Sequence, residues 1–393
     1  MKILIVAFSD SIHTAKWINQ MKDNNWNIFL YPSIDNGILN NEISSISIFQ
    51  TFYKKNKISN NKIYGISVSS DKLRNILIKI IRNIFPLFHL RRLVGIIKKL
   101  KPDVIHSMEI QHAGYLVLDA KKILKNNFPK WIVTNWGSDI YLFGNLKEHK
   151  NLIREVLKNC DFYSCECDRD VKLGREFGFE GKIFKLESNA GGFNLEDIKK
   201  TRKLMITSKR KIITLKGYQG IFGRALVGLI ALERCADIIK EKGMKIVVFS
   251  AENYPDVKIA CELFFKKTNI QIEIIPQISH NKILMLHAKS RISISLSISD
   301  ANSTSMLEAM AMGSFPIQSN TSAADEWLIN NITGFIVSPE DPEKIASMIN
   351  IALENDELVD KASEINLEAI SNRLDEKILK KDIYNLYKYI LDN

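Results

Sequence analysis

Residues 1–21 read MKILIVAFSDSIHTAKWINQM. A short β-branched and apolar run, Ile3 to Phe8, gives way to the polar loop SDSIHT, after which Trp17, Ile18 and Met21 recur at helical spacing. Strand, loop and helix in that order form one unit of a parallel α/β sheet. The unit returns at PDVIHS ending at Ser107, at KWIVTNWGSD (130–139), at DFYSCEC (161–167) and at KIFKLE (182–187). Near-continuous apolar strands alternating with helices predict a sheet covered on both faces.

A second series of strands follows the polar stretch NLEDIKKTRKLMITSKRK (194–211): KIITLKG, MKIVVFSA, IQIEIIP, RISISLS, FPIQS and GFIVS. The sequence therefore predicts two doubly wound α/β domains, over 1–195 and 196–373. A helix over about 374–391 carries Ile378, Leu379, Ile383, Tyr384, Leu386, Tyr387 and Ile390 on one broad stripe. That stripe needs a packing partner, and the expectation is that this segment, 374–393, crosses back to the first domain. With 393 residues, 46% of them hydrophobic and 25% charged, the chain has material for two cores. The N-terminal apolar run is far short of the roughly 18 residues that span a bilayer. Five cysteines, with Cys160, Cys165 and Cys167 crowded on an alternating strand pattern, fit buried thiols better than disulfides or zinc, so a cytoplasmic location is expected.

In open α/β sheets ligands lie outside the carboxyl ends of the strands. The richest strand end is SDANSTSMLEAMAMGSFPIQSN (299–320). Ser305 and Glu308 form a capping-box pattern, which predicts a helix from about Met306 to Met312, stopped by Gly313. Ser303, Thr304 and Ser305 then stand at a helix N-terminus, where free amides and the helix dipole favour an anion such as a diphosphate. Glu308, one turn in, either accepts hydrogen bonds from a ribose diol or merely closes its own capping box. KGYQGIFGRA (216–225) sits between a strand and a helix; Gly220 and its neighbouring glycines let backbone approach a phosphate, and Lys216 and Arg224 offset its charge.

Asp300 and Glu308, eight apart and followed by AMAMGSFPI and DEWLINNITGFIVSPEDPEKIA, resemble the donor-site signature of retaining glycosyltransferases of family GT4, which have the two-Rossmann GT-B fold. The resemblance extends along essentially the whole chain and implies two Rossmann-like domains facing across a cleft. The first, 1–195, is implied to lie on the acceptor side, and the second, 196–373, to bind the nucleotide sugar. In that family the first acid contacts the transferring sugar and the second the nucleotide ribose; here the first is the shorter Asp300. The resemblance further implies that the loop holding Ser11 and His13 approaches the donor. It implies that either His106 or His112 stands near the transferring sugar, the position that often carries the family's histidine being Met108 here. It also aligns Glu326 with a common family glutamate, equally readable as a surface acid at a helix start. Ser138 and Asp139 either meet acceptor hydroxyls or serve the turn. The family's Arg and Lys clamp is represented by Arg224 without a Lys in the usual register after it, leaving Lys216 as the substitute or the clamp remodelled.

The charge of +11 is local: residues 51–100 hold twelve Lys or Arg and one acid, Asp71, whereas residues 201–393 hold 24 of each sign. This pattern argues against a nucleic-acid footprint along the chain. RNIFPLFHLRRLVGIIKKLK (82–101) reads as a basic amphipathic helix, helped by lysines at 54, 55, 57 and 62, that either lies on an anionic membrane or packs its apolar face on the sheet. The expected function is sugar transfer, with retention, from a nucleoside diphosphate sugar to a glycan or lipid-linked acceptor in bacterial cell-surface polysaccharide synthesis. It is expected to be metal-independent and peripheral on the membrane's inner face. The alternatives are another enzyme of this scaffold, such as a sugar-nucleotide epimerase or a phosphorylase, and a non-catalytic relative that binds membranes or polyanions.

Overall fold

The computed structural model describes residues 1–54, 60–202 and 205–393. The chain divides into two compact units, Met1–Gly192 with Lys377–Asn393, and Phe193–Glu376.

Unit 1 is built on eight strands: β1 (Lys2–Ala7), β2 (Asn27–Pro32), β3 (Ser47–Tyr53), β4 (Lys62–Ser67), β5 (Val104–Met108), β6 (Lys130–Thr134), β7 (Phe162–Cys165) and β8 (Lys182–Lys185). They run parallel in the order β4-β3-β2-β1-β5-β6-β7-β8. Strand order reverses at β1 and β5, so their carboxyl ends form the unit's topological switch point. The helix Glu376–Asp392 presents Ile383, Leu386, Tyr387 and Ile390 to this unit's core, beside Trp17, Ile3 and Ile5. Trp17 Nε1–H donates to the Tyr387 hydroxyl at 3.0 Å.

Unit 2 carries β9 (Ile212–Lys216), a small hairpin β10 (Gln219–Gly220) and β11 (Gly223–Arg224), then β12 (Lys245–Phe249), β13 (Ile272–Ile275), β14 (Ser290–Ser295), β15 (Phe315–Ser319) and β16 (Phe335–Val337). Its main sheet is parallel in the order β13-β12-β9-β14-β15-β16. Here the reversal falls between β9 and β14. The stretch 194–211 is not a bare connector, because Leu195–Arg202 is a helix. The Arg202 guanidinium donates to the carbonyls of Met310 and Ala311, and Arg210 to that of Met312, satisfying the end of the helix Thr304–Met312.

The basic segment departs from the single helix expected over 82–101. It forms α2 (Asp71–Ile84) and α3 (Phe88–Leu100), the first long helices after α1 (Ile12–Met21), broken at Phe85–Leu87 because Pro86 forces its predecessor out of the helical region. α3 buries Leu93, Val94 and Ile97. α2 buries only Arg74, and its stripe Leu73, Ile76, Ile80 and Ile84 faces solvent, as do Phe85 and Leu87. Lys55 and Lys57 lie outside the described residues. Among the described residues no helix is long and apolar enough to cross a membrane. All five cysteines are buried and free, and burial pushes the thiols of Cys160 and Cys165 up.

Candidate active site

The switch point of unit 2 gathers the acidic motif. The helix over 304–312 starts two residues earlier than the capping-box spacing predicts: Ser303 is the N-cap residue and Thr304 the first helical one. The Ser303 hydroxyl, fully buried, has no hydrogen-bond partner, and the first-turn amides lack intrahelical acceptors. Glu308, 6% exposed, receives His280 Nε2 at 2.8 Å on Oε1, and His287 Nε2 stands 3.9 Å from Oε2. His280 and His287 open and nearly close one helix, His280–Lys289, two turns apart on the same face. The His287 ring is fixed in turn through Nδ1 to the Ser293 hydroxyl at 2.8 Å, itself bonded to Thr214 and Ser314. Burial drops the His287 pKa to about 4, against the pull of Glu308. The charge of Lys216, at the end of β9, also lowers it, and Lys216 Nζ lies 4.6 Å from the Tyr218 ring centroid. Asp300 stands in the loop before the helix, with Oδ1 accepting the Ala301 amide at 2.9 Å.

The switch point of unit 1 is aromatic. The Phe8 ring lies 5.1 Å from His112 and 6.1 Å from Trp136, and His13 meets Trp136 edge-on at 5.6 Å. Ser11 caps α1 by accepting the His13 amide at 3.1 Å. Glu109, buried directly after β5, holds φ +78 and ψ 154, a conformation costly for any residue with a side chain. Its carboxylate accepts the amides of His112 and Ala113 and reaches His112 Nδ1 at 3.3 Å, which raises the His112 pKa. Asp139 Oδ2 accepts the amides of Trp136 and Ile110 at 2.8 and 3.0 Å, tying the turn after β6 to the turn after β5. Burial, then the charge of Glu109, pushes Asp139 up to about 8. Ser138 is buried beside it.

His106 lies inside the core of unit 1. It is fully buried in mid-strand, with Nδ1 2.6 Å from the Tyr387 hydroxyl and Nε2 2.6 Å from Thr134 Oγ1. Because Trp17 can only donate to that hydroxyl, the phenol proton goes to Nδ1 and Nε2–H goes to Thr134. Burial drops its pKa to about 3, so it is a neutral core group, and His112 is left as the histidine at the strand ends.

Residues 2–163 match the family model described as Glycosyl transferase 4-like, and residues 257–368 match Glycosyl transferases group 1. Each unit thus carries a glycosyltransferase match of its own, and the chain is a glycosyltransferase. Its fold is that of Anabaena HepE, solved in complex with UDP-glucose, at TM-score 0.70 and 12% identity, with 99% of this chain and 100% of that one covered. It is also that of a glycosyltransferase from Rickettsia africae, at TM-score 0.68 and 19% identity over 100% and 99% of the two chains. Sucrose-phosphate synthase from Thermosynechococcus elongatus matches at TM-score 0.69 and 14% identity over 100% and 99%. No curated protein matches the sequence.

In this glycosyltransferase, Arg224 is tied by its backbone amide to the Leu296 carbonyl at the end of β14, while its guanidinium bonds Glu340 and the Gly220 carbonyl. Gly220 holds φ +97 at the exposed tip of the β10–β11 hairpin, open to close approach. Glu326 closes a short turn and its carbonyl accepts Arg373 Nη1 at 2.7 Å. Three polar residues of the transferase escaped the sequence reading: Glu109, His280 and His287. The seven-residue spacing of the two histidines was a signal for a shared helical face, but the meeting of His280 with Glu308 crosses 28 residues. Among the described residues no group of three or more His, Cys, Asp or Glu is placed to hold a metal ion.

Proposed function

We propose that the chain transfers a sugar, with retention, from a nucleoside diphosphate sugar to a glycan or lipid-linked acceptor in bacterial cell-surface polysaccharide synthesis. The observation that carries this reading is the buried Glu308 carboxylate, bonded to His280 and facing His287, one turn inside a helix whose N-cap Ser303 hydroxyl is buried without a partner and whose first amides have no acceptor within the helix. A ribose diol suits the carboxylate, and a diphosphate suits the amides at 303–305 with Lys216 and Arg224 to offset its charge. Negative charge grows on the diphosphate as the anomeric bond breaks, and fixed donors stabilise it without reorganising. In unit 2 Asp300 is assigned to the transferring sugar, and in unit 1 His112, whose positive form Glu109 favours, is assigned to sugar binding; the leaving phosphate takes the acceptor's proton. Ser11, His13, Ser138 and Asp139 serve the acceptor side. The HepE complex makes a uridine donor the first to test.

The reading extends to an anionic membrane, with one revision: the contacting element is α2 rather than α3. Its exposed stripe, Leu73, Ile76, Ile80 and Ile84, is flanked by Lys72, Lys79 and Arg82. Exposed apolar residues on a basic helix suit the lipid interface, where each cation adds about 1 kcal/mol.

The test is thermal unfolding of wild type and Glu308→Ala with UDP-, GDP-, ADP- and CMP-sugars. A ligand at 100 times its Kd stabilises by about 2.7 kcal/mol, a rise of roughly 5–10 °C for a unit this size. One nucleotide class should raise the wild-type Tm and leave the variant unmoved. A wild type unmoved by all four at millimolar concentration refutes the donor site.

A further inference from the structure

At the amino-terminal edge of the unit 2 sheet, away from the strand ends that carry the acidic motif, lies an open cavity of about 660 Å³. Its charged lining comes from the helix Leu195–Arg202, from Arg210 just before β9, and from the helix Asp356–Arg373. Lys199, Arg202, Arg210 and Lys361 bring four cations to it, against the carboxylates of Asp360 and Glu364.

Arg210 is 3% exposed, yet only part of its guanidinium is used. Nε donates to the Met205 carbonyl at 3.1 Å, and Nη1 to that of Met312 at 3.0 Å, with the Ser290 and His287 carbonyls at 3.3 and 3.4 Å. Nη2 has no hydrogen-bond partner among the described residues and is not shut off from solvent, so it opens on the cavity that Arg210 lines. Burial, then the charge of Arg202, pushes Arg210 down to about 10, and Asp360 counters this only in part. Burial lowers Arg202 as well; its nearest carboxylate, Glu364, stands 3.5 Å from Nη2 with its own side chain 79% exposed. Capping the helix Thr304–Met312 accounts for the bonds that both arginines make to its last carbonyls and leaves Arg210 Nη2 over. Two neighbouring buried guanidiniums, short of counter-charge, ask for an anion.

The rest of the lining narrows the kind of anion. Among the described residues no aromatic ring lines the cavity for a nucleobase to stack on, and no His or Cys lines it to hold a transition metal. Met205, Ile206 and Leu367 form an apolar wall. Asp360 Oδ1 accepts the Ser208 amide at 2.8 Å, which keeps Oδ2 for a hydroxyl. The volume suits a small metabolite. We infer that this cavity binds a phosphate monoester of about hexose size, its phosphate on Arg210 Nη2 with Lys199 and Lys361 at the mouth, its hydroxylated body between Asp360 and the apolar wall. None of the lining belongs to the donor site, so the two readings stand or fall separately.

The probes are glucose 6-phosphate, glycerol 3-phosphate and inorganic phosphate, with glucose as the uncharged control. Each is titrated calorimetrically into the full chain at low ionic strength, with and without millimolar UDP. At least one ester binds one to one, inorganic phosphate binds more weakly, glucose does not bind, and UDP displaces none of them. Lys199→Glu with Lys361→Glu, both exposed, keeps the Tm within about 2 °C of wild type and weakens that ester roughly tenfold or more. Arg210→Lys, which keeps the charge and one cap donor but loses Nη2, weakens it at least fivefold; should that variant fail to fold, the lysine pair decides. A wild type that binds none of the three phosphates, or binds glucose as well as its phosphate, overturns the site. So does a lysine-pair variant that binds as wild type does, and so does displacement by UDP in both chains, which places the phosphate at the donor amides.

Discussion

At the scale of single residues, the histidines sort by what surrounds them. His106 and His287 are fully buried, with pKa values lowered to about 3 and about 4, so both imidazoles stay neutral in the folded chain well below pH 6. His112 moves the other way because Glu109 favours its charged form. A raised folded pKa means that this pair contributes stability below about pH 6.5, the unperturbed value, and loses it as pH rises through the folded value. In a titration of labelled histidine rings by NMR, His112 should have its midpoint above 6.5, and Glu109→Gln should lower it. The rings of His106 and His287 should not titrate between pH 8 and 5. His280 gives a second residue-scale outcome. His280→Ala removes the 2.8 Å partner of Glu308 Oε1 and should weaken nucleotide binding several-fold, while His280→Gln, which still offers an N–H, should recover much of it; titration calorimetry with UDP reads both.

At the scale of elements, what was legible in the sequence is what depends on near neighbours along the chain. The strands over 1–8, 102–107, 244–251 and 291–297 announce themselves as apolar runs because both faces of a central parallel strand are covered. The stop at Gly313 was equally plain: it holds φ +76, where a Cβ would come within 2.5 Å of Ser363 Oγ and 2.8 Å of Arg202 Nη1. Gly313→Ala should therefore cost about 1–2 kcal/mol, from the left-handed backbone and the displaced arginine cap, measurable as a lower urea midpoint. What was not legible depends on distant partners. The Ser305–Glu308 spacing read as a capping box, yet Glu308 turns to a histidine on another helix. The segment 82–101 read as one amphipathic helix, yet Pro86 splits it, and periodicity cannot say which of two amphipathic helices the sheet will cover. The exposed stripe of α2 yields a direct outcome. Ile76→Glu with Ile80→Glu should abolish co-sedimentation with vesicles rich in phosphatidylglycerol, leave the Tm within about 2 °C of wild type because both residues are already exposed, and leave UDP binding intact. Wild type that ignores such vesicles at low salt refutes the membrane contact.

At the scale of the whole molecule, unit 1 is assembled from two separated stretches of chain. The Tyr387 hydroxyl, in the later stretch, takes the Trp17 indole N–H and meets His106, both in the earlier one. Tyr387→Phe leaves the indole N–H, His106 Nδ1 and their surroundings unsatisfied and should cost about 1–3 kcal/mol. Because the loss is confined to unit 1, hydrogen exchange should speed up in β1, β5 and α1 and stay unchanged in β9 to β16.

The same arrangement bears on how the protein is made. When Gly192 leaves the ribosome, the sheet face bearing Ile3, Ile5, Leu30 and Ile48 has α1 against it but lacks Ile383, Leu386, Tyr387 and Ile390, because residues 377–393 have not been synthesised. At about 5–20 residues per second, the roughly 200 residues still to come take about 10–40 s. Through that interval the nascent chain leaves open the apolar strip that the helix Glu376–Asp392 later buries, so holdase chaperones should bind it there, and a ribosome stalled beyond Gly192 should hold a more protease-sensitive unit 1 than the released protein does.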